Sequence, residues 1–587
     1  MTSDSVTLLR RPPAEDRGLS APPPVASSRH RGRPGLSGYL YFDGFLAIYL
    51  FVGGWEARHN IVFADALSRV GNAYYVLYSR DPHLPAIGFV WNPLPSLVLL
   101  PILPFKAVFP ILVSMGAAGI VQSALFMAGA IAAMNSCLRR LGVPTIARAC
   151  LTVLFGLQPM ILLYGGSGTS EAMLLFFLLI TCASLISWVQ DRRAGDLVLA
   201  GVALALSYMT RYEAVGPAIA VALVVGILTF RRARSASWRD RMLLALNDMA
   251  IVGSPFAFAF ALWAISSKII VNQWFATFSS AYGNSAQVAS GRSSIQTVTG
   301  SSTADILSYV GRQISGLSPF VMPLLLLAVF IAIFRRQVVA VIAPAVLGAV
   351  LLFDNLTTVV GGSFGWLRFQ IAVIPLSFLL AGGIIAGVSG GTRRADPLTG
   401  ESSAFARQGF SGVRRDWVSR VVVAALVVVM GVGLPAEART LTTTRGGLAR
   451  EESPMLRSTF YPRQASKEER KSLRIFQTER QISRYIDGLD LPRGSVLTDT
   501  AYAYSVVLAS QRPTQFVITS DRDFDDAVSD PTGHHIAYML VPSPSLGPAD
   551  ALGRYWHDLY LDGGRIGILV KGWRGTFFGN WRLYRVR

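Results

Sequence analysis

The sequence predicts a polytopic α-helical membrane protein of about eleven spans, with a small α/β domain outside the membrane at its C-terminal end. Three observations predict this. Of 587 residues, 52% are hydrophobic and only 15% charged, and the mean hydropathy is +0.43. That balance belongs to a membrane protein, not a soluble enzyme. Apolar runs long enough for a bilayer core alternate with short loops that carry paired arginines. The runs stop at Pro435, and charge rises beyond it.

Residues 1–37 are rich in Arg, Pro and Ser and hold no apolar segment. They read as a disordered basic tail, not a cleavable signal. Residues 38–434 form the membrane part. Spans are expected near 39–55, 108–137, 143–163, 170–189, 196–212, 215–230, 243–265, 317–334, 338–356, 369–388 and 418–434. The stretch 93–105 is apolar but short and broken by prolines. It reads as a re-entrant or interfacial segment, or as the first part of a broken helix.

The arginines set the orientation. One set of loops holds Arg139 and Arg140, Arg192 and Arg193, Arg231, Arg232 and Arg234, Arg335 and Arg336, and Arg393 and Arg394 with Arg414 and Arg415. The alternate loops are nearly free of paired basic residues. The basic tail falls with the first set. This places the N-terminus in the cytoplasm, the spans in the plasma (inner) membrane, and residues 435–587 outside. The net charge of +19 is thereby spread over loop ends, which argues against nucleic acid as a partner and makes membrane lipids the expected surroundings. Cys137, Cys150 and Cys182 lie in or beside apolar runs without metal-ligand spacing and read as packing residues.

Five segments share the external face. The loop 56–92, about 35 residues long, exceeds a mere connector. It carries Arg58, His59, Asp65, Arg69, Asp81, His83 and Trp91. Asp65 and Arg69 are spaced i, i+4 and can pair on one exposed helix face. Asp81 precedes Pro82, a common turn. Two scattered histidines do not make a metal site. The second segment, Tyr164 to Glu171, is a Gly/Ser/Thr loop opening a helix, where Ser170 or Thr169 could cap and the dipole favours Glu171. The third is the corner Thr210-Arg211-Tyr212-Glu213, where Arg211 and Glu213 can pair. The fourth, 266–316, holds Lys268, Trp274, Tyr282, Asn284 and Arg292. The fifth, Gly361 to Arg368, leaves Arg368 with no acidic residue within ten positions. An arginine so placed seeks a phosphate, a headgroup or a distant carboxylate.

In order and sidedness these residues resemble the GT-C superfamily of integral-membrane glycosyltransferases, including polyprenyl-phosphate-sugar transferases of actinobacterial envelopes. The pattern covers 39 to about 435. It consists of one span, then an external loop with an early aspartate (Asp65), then Trp91-Asn92-Pro93-Leu94-Pro95. Gln158-Pro159, the loop with Glu171, the corner with Arg211 and Glu213, and Arg368 ahead of Pro375 follow. The resemblance implies that Asp65 is the catalytic base on an acceptor hydroxyl. It implies an inverting transfer of a sugar, arabinofuranose or mannose, from a polyprenyl-phosphate carrier to a glycan, lipid or protein acceptor. Arg211, Arg368, Arg58 and Lys268 are the candidate phosphate contacts, with Asp81, Glu171, Glu213, Trp91 and His83 as further substrate contacts. The paired acidic motif of protein O-mannosyltransferases is missing, since Ala64 and Ala66 flank Asp65. The acidic metal cluster of oligosaccharyltransferases is missing too, so no cofactor or metal is expected. The competing reading is a flippase or transporter of lipid-linked sugars. It would place polar residues at mid-span, whereas here charge gathers on one face.

In residues 435–587 an amphipathic helix is expected over 466–488, with strands near 495–497, 515–519, 536–541, 566–570 and 581–586. Helices are expected near 501–510 and 548–560. Asp521, Asp523, Asp525 and Asp526 lack the glycine and terminal glutamate of a calcium loop and read as a solvated helix start. His534 and His535 read as surface residues.

Overall fold

The structure, a computed structural model, describes residues 36–335, 338–389, 412–547, 549–577 and 579–587. Most of the N-terminal tail, together with Arg336, Arg393 and Arg394, lies outside the described residues.

The chain is mainly helical and builds a membrane protein. Among the described residues six helices are long and apolar enough to cross a bilayer: Ala117–Arg140, Glu171–Asp191, Tyr212–Arg232, Trp238–Val271, Leu367–Val388 and Ser419–Thr442. Two bent pairs raise the number to eight, Thr145–Gly156 with Pro159–Gly166 at 58° and Thr303–Leu317 with Val321–Phe334 at 82°. Each bend falls at a proline. Pro159 and Pro319 lack an N–H and push the residue before them out of the helical region. Gln158 accordingly has ψ 132° and Ser318 ψ 87°.

Several expected spans are therefore shorter or broken. The run 338–356 divides into a 3-10 turn, a π-helical turn Pro344–Gly348 and the helix Ala349–Val359. The run 196–212 is the 17-residue helix Ala194–Thr210. Residues 93–105 form only the short helix Leu94–Leu99 and the start of a 3-10 turn, Leu103–Ala107. The stretch 266–316, expected as a loop, contains the helices Asn284–Thr299 and Thr303–Leu317. The latter opens with a capping box between Ser302 and Asp305.

Among the described residues five strands form one sheet: β1 (Val496–Thr498), β2 (Phe516–Ile518), β3 (Tyr538–Pro542), β4 (Gly567–Trp573) and β5 (Trp581–Val586). The order is β2-β1-β3-β5-β4. β1 runs parallel to β2 and β3, and β5 runs antiparallel to β3 and β4. The expected helix over 466–488 is two pieces, parted at Phe476, whose φ is +61°.

This sheet shares a core with a helix of the segment 56–92. The helix Ala64–Tyr78 buries Leu67, Val70, Tyr74 and Tyr75 at helical spacing. These residues pack in one cluster with Val506, Val507, Phe516 and Trp581. Each such aliphatic side chain contributes roughly 2 kcal/mol when withdrawn from water. Ion pairs fasten the helix's far end. Arg80 meets Asp521 at 3.0 Å and also Asp523. Asp81 Oδ2 accepts from the Arg522 amide at 3.2 Å. The Asp521 side chain is fully buried. So two of the four aspartates read as a solvated helix start, Asp521 and Asp523, are the docking point of the segment 56–92.

Candidate active site

A cavity of about 630 Å³ lies between the helix ends of the membrane part and the sheet domain. Asp65 reaches it from the first turn of Ala64–Tyr78, where the helix dipole favours a negative charge. Its Oδ2 accepts from Arg368 Nη2 at 2.6 Å. Burial works to raise the Asp65 carboxyl, but Arg368, Arg69 and Arg211 together outweigh it and hold the group below its ordinary value.

Arg368 is shared. Besides Asp65 it meets Glu171 at 3.6 Å and Glu451 at 3.3 Å. Arg211 meets Glu171 at 2.7 Å and Glu213 at 2.6 Å. Glu171 therefore joins the two arginines, which is why it tolerates burial at the head of a long apolar helix. Ser170 stands at the N-cap without a side-chain cap bond, so the expected cap does not form. The close backbone path that puts Glu171 here depends on glycine. Gly168 has φ +78°, and a Cβ there would meet the Gly119 carbonyl carbon at 3.0 Å.

Arg69, one turn beyond Asp65, is 4% exposed. Its guanidinium stacks on Trp91 at 5.0 Å. Its Nε and Nη1 have no hydrogen-bond partner, and among the described residues no carboxylate lies within salt-bridge distance of it. Burial lowers its pKa to about 10 with help from Arg211 and Arg368 and against the pull of Asp65. It stays charged at neutral pH. The expected exposed pair of Asp65 and Arg69 is thus replaced by a buried arginine that stacks on Trp91 and has no carboxylate within salt-bridge distance among the described residues.

Glu451 is the residue that sequence reasoning missed. It lies in the connection between the last span and the sheet domain, and its Oε2 is buried with no partner. Burial pushes its pKa up to about 8, with Arg368 opposing and Glu452 and Asp65 adding repulsion. Glu452 accepts from the Tyr164 hydroxyl at 2.7 Å. Arg450 and Trp366, also unforeseen, stack at 4.8 Å on the same wall.

Of the expected site residues, Asp65, Trp91, Arg211, Glu213 and Arg368 line the cavity, and Glu171 lies directly behind it. Arg58, Asp81, His83 and Lys268 do not line it. His83 Nδ1 lies 2.7 Å from the Asp81 carbonyl oxygen, and Lys268 donates to Asn272 Oδ1 at 2.7 Å. Among the described residues no three His, Cys, Asp or Glu side chains form a metal-holding group. The carboxylates here are interleaved with guanidinia instead.

No family model and no curated protein matches the chain. Solved structures do. The chain is similar to ArnT from Cupriavidus metallidurans in the apo state, at 12% identity and TM-score 0.47, over 93% of this chain and 97% of that one. It is also similar to the archaeal oligosaccharyltransferase AglB from Archaeoglobus fulgidus in complex with an inhibitory peptide and a dolichol-phosphate. There the identity is 9% and the TM-score 0.40, over 92% of this chain and 74% of that one. A second Archaeoglobus fulgidus oligosaccharyltransferase structure, tethered to an acceptor peptide, gives 10% and 0.39 over the same shares. These likenesses are of overall course only, and the chemistry of the site is read from its own residues.

Proposed function

We propose that the chain is an inverting glycosyltransferase that moves a sugar from a polyprenyl-phosphate carrier to a hydroxyl of a cell-envelope acceptor. One observation carries this reading. An ionised carboxylate, Asp65, and a buried arginine without a carboxylate partner among the described residues, Arg69, face one cavity at the membrane boundary.

The acceptor oxygen attacks the anomeric carbon while the bond from that carbon to the phosphate oxygen breaks. The hydroxyl proton passes to Asp65, and the carrier leaves as a polyprenyl phosphate that gains one negative charge. Arg69 has no competing carboxylate, so it is the guanidinium best placed to take that charge. Arg211 and Arg368 are already matched by carboxylates and act by field and position. Asp65 held low is a weak base in the empty site. A phosphate against Arg69 adds negative charge nearby and raises the basicity of Asp65 when the donor is bound.

In this reading the fold is a GT-C membrane domain of about eleven spans, with the N-terminus cytoplasmic and the cavity on the outer face of the plasma (inner) membrane. Support comes from the helix Glu171–Asp191, which has the site at one end and Arg192 and Arg193 at the other. The reaction needs no metal here, because the guanidinia supply positive charge. Arabinofuranose and mannose are the sugars to try first. Transport of lipid-linked sugars is the competing function, but the charged groups of the cavity gather at one end of the spans.

The test is transfer from radiolabelled polyprenyl-phosphate arabinofuranose and mannose to an envelope glycan fraction, with the purified chain in detergent. Incorporation from one donor is expected. No incorporation from any donor, together with carrier movement in vesicles, would place transport first.

A further inference from the structure

β4 ends the sheet order and pairs with β5 alone. Among the described residues, nothing outside β5 hydrogen-bonds to the backbone over 568–572. An antiparallel edge strand turns about half of its amides and carbonyls away from its one neighbour. Those groups stand open beside Ile568, Leu569 and Val570, which are 45%, 48% and 41% exposed. The strand lines no part of the cavity described above.

Such edges are commonly guarded by a bulge or by an outward lysine. β4 has a register shift between Leu569 and Lys571 that leaves Val570 without a partner in β5. The bulge therefore adds an apolar residue to the edge instead of removing one. Lys571 does not guard the edge, because its ammonium is drawn to the rings of Tyr485, at 3.9 Å, and Trp573, at 5.5 Å.

Charge selects the partner. From 565 to 587 the sequence has six Lys or Arg and no Asp or Glu. Arg585 stands opposite Ile568 in the register, and the Arg587 amide donates to the Ile566 carbonyl at 2.9 Å. Arg565, Arg585 and Arg587 thus gather at one end of the hairpin, and all three are exposed. Among the described residues no carboxylate pairs with any of them. A second copy of β4 would set these cations against themselves. A lipid surface would cover the open backbone groups without supplying partners, which hydrocarbon does not permit. A strand from another chain satisfies the amides and carbonyls, and acidic side chains on it meet the arginines.

We infer that β4 is a docking edge and that its partner is an extended, acidic polypeptide segment that lengthens the sheet by a strand.

The test is binding of fluorescently labelled peptides to the full chain in detergent at low ionic strength. One peptide alternates Val and Glu, and one alternates Val and Lys. A third is the Val/Glu peptide N-methylated at every second residue. The Val/Glu peptide should bind and the Val/Lys peptide should not. N-methylation should weaken binding at least about tenfold, because it removes the donors of one strand edge. The double variant Arg585→Glu with Arg587→Glu should weaken Val/Glu binding about tenfold. Its thermal melt should match the wild type, since both side chains are exposed. No binding of the Val/Glu peptide would overturn the inference. So would equal binding after N-methylation, which would show contact through charge alone. A dimer by light scattering that dissociates in Leu569→Lys would assign the edge to a second copy and overturn it too. Binding of labelled short-chain phosphatidylglycerol, lost in the double variant and without any peptide binding, would assign it to lipid.

Discussion

Replacing Arg368 by Gln should move the acid limb of the pH profile upward. Arg368 donates to Asp65 at 2.6 Å and also meets Glu171 and Glu451. Opposite charges about 4 Å apart attract by about 4 kcal/mol at an effective dielectric of 20. At 1.36 kcal/mol per pKa unit, that is a ceiling of about three units. Arg69 and Arg211 still face Asp65, and its side chain is 28% exposed. About one to two units is the expected rise in the Asp65 pKa. The sign follows from the chemistry. Transfer needs Asp65 ionised, and its pKa lies below the ordinary value. Wild-type activity therefore falls below the ordinary carboxylate range, whereas the variant loses it at a higher pH than the wild type. The assay is kcat/KM for transfer against pH, alongside a thermal melt to confirm folding. A folded variant whose acid limb coincides with the wild type would refute the proposed coupling.

Other changes separate the remaining parts. Arg69→Ala should raise the donor KM at least about tenfold, with a thermal melt to confirm folding because it also removes the stack on Trp91, and Arg69→Lys, which keeps the charge, should recover part of the affinity. Glu451→Gln should flatten the pH dependence of stability. The folded state holds that proton up to about pH 8, against 4.5 for the free group. Wild type therefore loses stability as pH rises through this window, and Glu451→Gln should melt higher than wild type at its upper end and alike at pH 4.5. Arg80→Ala leaves buried Asp521 without its ion-pair partner, with an expected cost of about 2–3 kcal/mol, moderated because Arg80 and Asp523 meet solvent. It should speed limited proteolysis between the last span and the sheet domain.

Much of the fold was legible because period and composition report local structure. Alternating runs gave the strands of the sheet to within a few residues, and apolar length marked most membrane helices. The errors fall where tertiary contacts decide. Asp65 and Arg69 at i, i+4 have the spacing of an exposed pair, yet Arg69 is buried with Trp91 stacked on it. Asp521 looked solvated because nothing local announces Arg80, 441 positions away. Arg368 has no acidic neighbour in sequence, and its three carboxylates come from three separate segments. Glu451 follows Arg450 in a charged linker and looks like surface, although the Glu451-Glu452 pair just past a span was the one available hint.

The most direct measurement is transfer by Asp65→Asn with donor binding followed in the same preparation. The Asn side chain keeps the shape and removes the base. The account predicts that a folded variant binds polyprenyl phosphate as the wild type does and loses transfer by at least a hundredfold, the range expected for a general base. Transfer at the wild-type rate with donor bound would contradict it.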